Sequence, residues 1–290
     1  MNRKAILLAA LSSLLFATSC IFVHFLTPFG FTPMEMTAMR GVVSAVLIIV
    51  YLFFYNKKLF RVKLSELLLF ACSGLTMFTA AYFYFESIAR SGVATAVVLM
   101  YTSPIYVLAF SVLFLKEKLT AKKVICVAVM LFGVVLVSGI LNGGQFNFLG
   151  VLLGLLAGFS FGMYNIVTKF AMRRGSHPTS AMAYSFIFMG LISLLFVDVN
   201  NMAVLTAQNP AVILVLMVAI GLFTCFLSYL IYAYALKELP AGVAAALGLI
   251  EPVAAIIYGV ALFGDELTWI LIAGIVLILG AVFVMSRVEE

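Results

Sequence analysis

"LGLIEPVAAIIYG", residues 247–259, sets a glutamate and a proline side by side in an otherwise apolar run. Proline removes its own N–H and crowds the carbonyl four residues back. That predicts a helix interruption at Pro252, with the Gly248 carbonyl left free. A carboxylate at the centre of a bilayer costs about 2.5–3.5 kcal/mol on insertion scales. Glu251, near the middle of its run, is therefore expected to face the protein interior and to act on a solute or a proton. "MYTSPIY", residues 100–106, is its counterpart: Ser103-Pro104 precedes Glu251-Pro252 by 148 positions.

The runs around these prolines decide the class. The 290 residues are 66% hydrophobic and 10% charged, whereas soluble domains carry about 25% charged residues. About 20 apolar residues span a bilayer as a helix. Ten such runs are expected, at 4–26, 34–55, 65–89, 93–115, 122–141, 147–171, 179–197, 211–236, 241–263 and 267–286. The alternating ten-residue strands of a membrane barrel are not in evidence. The fold class expected is an all-α membrane protein, since helices satisfy their own backbone in lipid.

Threading ten helices from an inside N-terminus leaves Arg90 as the one basic residue outside, with Arg40 inside a helix. This is the positive-inside pattern, and it puts both termini in the cytoplasm and the chain in the cell membrane. The net charge of +6 thus belongs to cytoplasmic loops, and no nucleic-acid partner is expected. Cys20, Cys72, Cys126 and Cys225 stand alone in separate helices, so no disulfide framework, metal or other cofactor is expected.

The second half echoes the first. Pro33 and Pro178 each open a helix, 145 residues apart; Tyr84 and Tyr232 are 148 apart, as are "KEKLT" (116–120) and "GDELT" (264–268). Nearly constant offsets between punctuation marks signal an internal repeat, here 1–141 and 147–286. Five helices per copy make the two copies inverted, and inverted repeats place a solute site at the midplane where interrupted helices meet.

These features resemble the EamA-type branch of the drug/metabolite transporter superfamily: Arg40 in "AMRGVVSAVLII", the prolines of "YTSPIYVLAF" and "LIEPVAAIIYG", and the "LKEKLT" and "FGDELT" turns, the last with Asp265 where glutamate is usual. The resemblance covers essentially the whole chain. It implies a carrier for small organic solutes, usually an exporter. Amino acids or their derivatives are the first expectation, moved by alternating access. An uncoupled facilitator for sugars, nucleosides or drug-like compounds is the alternative, and a membrane-embedded enzyme a remote one. No catalytic residue is expected. The partners are a small solute, the bilayer and, in a coupled carrier, protons. Oligomeric state is not fixed.

The cavity is expected between the third, fourth, eighth and ninth runs, with help from the first, second and sixth. Glu251, Tyr101 and Ser103 are its central candidates. Tyr84 and Tyr232 join them as repeat equivalents. Pro104, Pro252 and Gly248 are the expected hinges. Arg40 lies about 10 Å down a helix that Thr32, Pro33 and Glu35 open as a capping box; it either binds a solute carboxylate, pairs with Glu86, or snorkels outward. Glu86 has Arg90 at i+4, an ion-pair spacing, and otherwise serves an outer gate or a proton site. His24 and Asn165 lie in the first helix of each half, and His24 is the titratable one.

Two motifs are set aside. Gly150, Gly154, Gly158 and Gly162 form a smooth ridge for close helix packing. Within it, Gly158-Phe-Ser160-Phe-Gly162 matches a hydrolase nucleophile pattern, but without the strand–turn–helix setting that chemistry requires.

Overall fold

The computed structural model describes residues 2–142 and 147–287; Met1 of the first expected repeat lies outside them. Every regular element among the described residues is helical. In chain order these are α1 (Arg3–Ala17), α2 (Ser19–Leu26), α3 (Pro33–Tyr55), α4 (Leu64–Met100), α5 (Ser103–Leu115), α6 (Ala121–Val137) and α7 (Phe148–Arg173). The remainder are α8 (Pro178–Ser193), α9 (Val199–Ala207), α10 (Pro210–Ile220), α11 (Ser228–Glu238), α12 (Ala241–Leu247), α13 (Ile250–Tyr258) and α14 (Trp269–Met285). Among the described residues, seven continuous helical stretches are long and apolar enough to cross a membrane, including Arg3–Phe29, Leu64–Met100, Pro210–Glu238 and Ala241–Phe263.

Local chemistry sets the ends. Thr32 accepts from the Glu35 N–H while Glu35 Oε2 accepts from the Thr32 N–H (2.7 Å), so the expected capping box is made. Glu35 also accepts from Asn201 Nδ2 at 2.9 Å, tying α3 to α9. The Asn147, Thr120 and Thr268 side chains cap α7, α6 and α14 by accepting from the backbone N–H three residues on.

Breaks inside the long helices position the site. Gly92 (φ 78, ψ 162) divides α4. The helix stops again at Tyr101–Thr102, and α12 stops at Gly248–Leu249 before α13 begins. Both later breaks precede their proline by two to four residues. The Gly248 carbonyl is not free, contrary to expectation: it accepts from the Glu251 N–H at 3.0 Å. The chain tightens to an i→i−3 turn, as helix ends commonly do. Leu247 O accepts from Ser13 Oγ of α1 at 3.2 Å. A π-turn at Gly221–Leu227 links α10 to α11, and Gly221 O accepts from Ser44 Oγ at 2.9 Å.

Small residues let the helices approach. The Gly150–Gly162 ridge packs α7 along α4: a Cβ on Gly158 would lie 2.8 Å from Leu99 O, and one on Gly154 would lie 2.6 Å from the Leu99 side chain. Gly41 faces Gly190 where α3 crosses α8, and Gly133 faces Gly274 where α6 crosses α14. Outward surfaces are apolar; Trp269 is 84% exposed and Phe54 81%. Apolar surface of that extent needs a non-aqueous partner, and here the partner is lipid.

Candidate functional site

The breaks converge on a cavity of about 640 Å³. Its deep end is formed by Phe16 of α1, Tyr101, Tyr229 of α11, and Glu251, Pro252 and Ala255 of α13. Its lining reaches Pro33 and Val93, both exposed, Val93 at 59%, and these mark its open mouth. Apolar and aromatic side chains make most of the wall, among them Met36, Met77, Phe85 and Phe161.

Two opposite charges face this space. Arg40 projects from α3 and Glu251 from α13, within electrostatic range of one another. The Tyr101 hydroxyl is directed at the Glu251 carboxylate, and Tyr84 lies near both charges. Glu251 is partly accessible, and the cavity is what reaches it. Arg40 Nε is buried without a hydrogen-bond partner, the one such side-chain nitrogen or oxygen among the described residues.

The opposite end is shut. Both Glu117 carboxylate oxygens accept from the Ala241 N–H at 3.0 Å, at the N-terminus of α12. Arg173 Nη2 donates to Glu117 Oε1 at 3.1 Å, and Arg173 Nη1 donates to Leu115 O. Buried Lys169 donates to the carbonyls of Leu236, Lys237 and Leu239 at 2.6, 2.8 and 2.8 Å. That ammonium satisfies the loose carbonyls at the C-terminus of α11, where a cation is also favoured by the helix dipole.

The expected site residues therefore separate. Glu251, Tyr101, Tyr84, Arg40 and the hinge residue Pro252 share the cavity. Ser103 and Pro104 are buried behind it. Tyr232 is also buried, and its hydroxyl donates to Asn165 Oδ1, buried like it and outside the cavity lining. Glu86 is taken by Arg90 in an i,i+4 pair and does not meet Arg40. His24 is exposed and stacks on Phe263 at 4.0 Å. Tyr229 takes the place expected for Tyr232. Tyr232 lies one turn further along α11, toward the closed end, too deep to reach the cavity. Phe16 and Cys20 carry no signal in the sequence that distinguishes them. Lys169 does: a lone cation within "NIVTKFAM" needs acceptors.

This fold and this cavity define a multi-pass membrane transporter, and comparison with known proteins gives the family. EamA-like transporter family sequences match residues 3–139 and again 148–287. The chain belongs to that family. It is 24% identical to an uncharacterized transporter of Archaeoglobus fulgidus over 91% of both chains. It is 25% identical to the uncharacterized transporter YoaV of Bacillus subtilis, over 87% of this chain and 86% of that one. A Clostridium kluyveri transporter matches at 26% identity, with 61% of its length covered. A solved crystal structure superposes over 100% of both chains with a TM-score of 0.81 at 17% identity, a likeness of fold alone.

Proposed function

We propose that the chain is a secondary carrier that exports small zwitterionic solutes, amino acids or their close derivatives first, across the cell membrane by alternating access. The observation that carries this reading is the pairing in one cavity of Arg40, with a buried unpartnered Nε, and Glu251, within otherwise apolar and aromatic walls. A guanidinium suits a carboxylate in bidentate geometry. A carboxylate suits an ammonium, and the aromatic wall suits an apolar side chain. The cavity opens at one end and is locked at the other, which is what one half-cycle of a carrier requires.

The architecture we infer has ten spans in two inverted five-helix repeats, 1–141 and 147–286, with both termini cytoplasmic. Packing supports it. Exchanging the two halves turns the α4–α7 contact into the α11–α1 contact, and both pairs are extensive. The α3–α8 and α6–α14 crossings each map onto themselves, and each is a glycine-to-glycine approach.

Counterflow into proteoliposomes tests the function. Wild-type protein is expected to exchange zwitterionic amino acids well and their N-acetyl and amide forms only weakly. Glu251→Gln is expected to lower exchange by about tenfold or more, the usual cost of removing one partner of a buried charge contact. Glu251→Gln exchange at the wild-type rate, with unchanged pH dependence, would remove Glu251 from the mechanism.

A further inference from the structure

We propose that Asp265 is the lock of the open mouth: when that end closes, its carboxylate caps the half-helix beginning at Val93, as Glu117 now caps the one beginning at Ala241. This rests on the carrier reading above. It concerns a residue outside the cavity lining.

The two turns are the same structure. Lys116 (φ 52) and Gly264 (φ 75) both take left-handed conformations, 148 residues apart. Lys116 is the one non-glycine residue with positive φ among those described. The following N–H reaches six residues back in each case, Glu117 to Ser111 O at 3.1 Å and Asp265 to Gly259 O at 3.3 Å. Three residues further on, Thr120 and Thr268 cap α6 and α14. The acid thus leaves an identical backbone turn in both halves.

The acceptors correspond too. Ala241 opens α12 just after the break at Leu239–Pro240; Val93, 148 positions earlier, follows the break at Gly92. Residues 93–100 run helically to the next break, long enough to present a first turn of free N–H groups to a carboxylate.

The contact is made at one end only. Glu117 is 8% exposed and bonded to Ala241. Asp265 is exposed, its carboxylate resting over Gly259, where a Cβ would lie 2.3 Å from Oδ2. Val93 lines the open mouth. The shut end has its acid on a helix N-terminus, and the open end has both parts apart.

The two locks also differ in strength. By the Pro33–Pro178 offset, Arg173 corresponds to Pro28 and Lys169 to His24. The position matching the guanidinium that braces Glu117 is therefore a proline, the nearby Arg90 is held by Glu86, and the acid is one methylene shorter. The closed form of that mouth is the less tightly held of the two.

Thiol accessibility tests this. A single reporter, V97C, is placed in the cavity of a variant freed of native cysteines. A membrane-impermeant maleimide is then applied from the face that carries Pro33. E117Q should slow labelling about three- to tenfold, the scale of a lost helix cap, because it releases the present closed end and lets the open mouth close. Adding D265N should restore the fast rate; adding D265E should not. An E117Q/D265N protein labelled as slowly as E117Q overturns the proposal, as does E117Q labelled at the parent rate. Counterflow by the same variants judges the carrier reading separately: transport that persists while Asp265 has no effect on labelling removes the lock and leaves the carrier.

Discussion

Arg40 is the residue whose chemistry is least balanced in the present state. Leaving a buried donor unpaired costs about 1–3 kcal/mol, and Arg40 Nε is such a donor beside the cavity. A solute carboxylate that took it would recover this cost on binding. Lysine keeps the charge and loses the fork. Arg40→Lys is therefore expected to weaken apparent affinity for a carboxylate solute about tenfold while leaving weak transport of its amide unchanged. Counterflow KM for the two solutes checks it, and an equal shift for both would place Arg40 in a packing role. His177 is a second residue whose state matters, on the opposite end of the bundle. It caps α8 by accepting from the Thr179 N–H at 3.2 Å. Burial first, and then nearby Lys237, lower its pKa below the ordinary 6.5. The folded protein thus binds that proton less readily than the unfolded chain. Stability should be full above pH 6.5 and fall as pH drops through the lowered value. Thermal unfolding in detergent should show this loss for wild-type protein and less of it for His177→Asn, which caps without titrating.

At the scale of helices, the glycine ridge of α7 decides where α4 can break. Gly158 lies against Leu99 O and Met100 O, backbone of the Tyr101 interruption, and against the Thr102 hydroxyl. A methyl there must push main chain, so Gly158→Ala should cost about 1–3 kcal/mol and lower the unfolding midpoint. Gly280 in α14 has nothing within 4 Å of the same methyl, and Gly280→Ala should be neutral or slightly stabilising. Comparing the two midpoints by thermal unfolding isolates packing from helix propensity. The same helices show how far the sequence could be read. The apolar class was legible because length and hydropathy alone impose it, and the breaks were legible because Pro104 and Pro252 announce them. Which side chains share the cavity was not. Tyr229 and Tyr232 are chemically equal and one turn apart, and only the depth of α11, after its π-turn, sends one to the cavity and the other to Asn165. Arg40 with Glu251 joins α3 to α13 across more than 200 positions of chain, a pairing that no local periodicity encodes. Glu117 read as a turn residue, since its partner Ala241 is 124 residues away.

For the whole molecule, charge and packing point to one topology. The Lys57–Lys58, Lys116–Lys118, Arg173–Arg174 and Lys237 clusters lie at the end of the bundle where Glu117 and Lys169 form their contacts. The cavity opens at the other end, near Pro33 and Val93. Basic loops stay on the cytoplasmic side, so the open mouth should face outward and the braced end inward. Helix α9, between Asp198 and Asn209, should then lie on the outer face beside the capping box of α3. Single cysteines test this in intact cells with an impermeant maleimide. Gln208→Cys is expected to label without permeabilisation. Lys57→Cys and Lys237→Cys, both exposed positions, are expected to label only after it. An odd number of spans between residues 57 and 208 satisfies that pattern; the ten-helix reading gives five there, at 65–89, 93–115, 122–141, 147–171 and 179–197. Labelling of Lys57→Cys and Gln208→Cys from the same side would break the inverted arrangement. With it would fall the equivalence of Glu117 and Asp265 on opposite faces of the membrane.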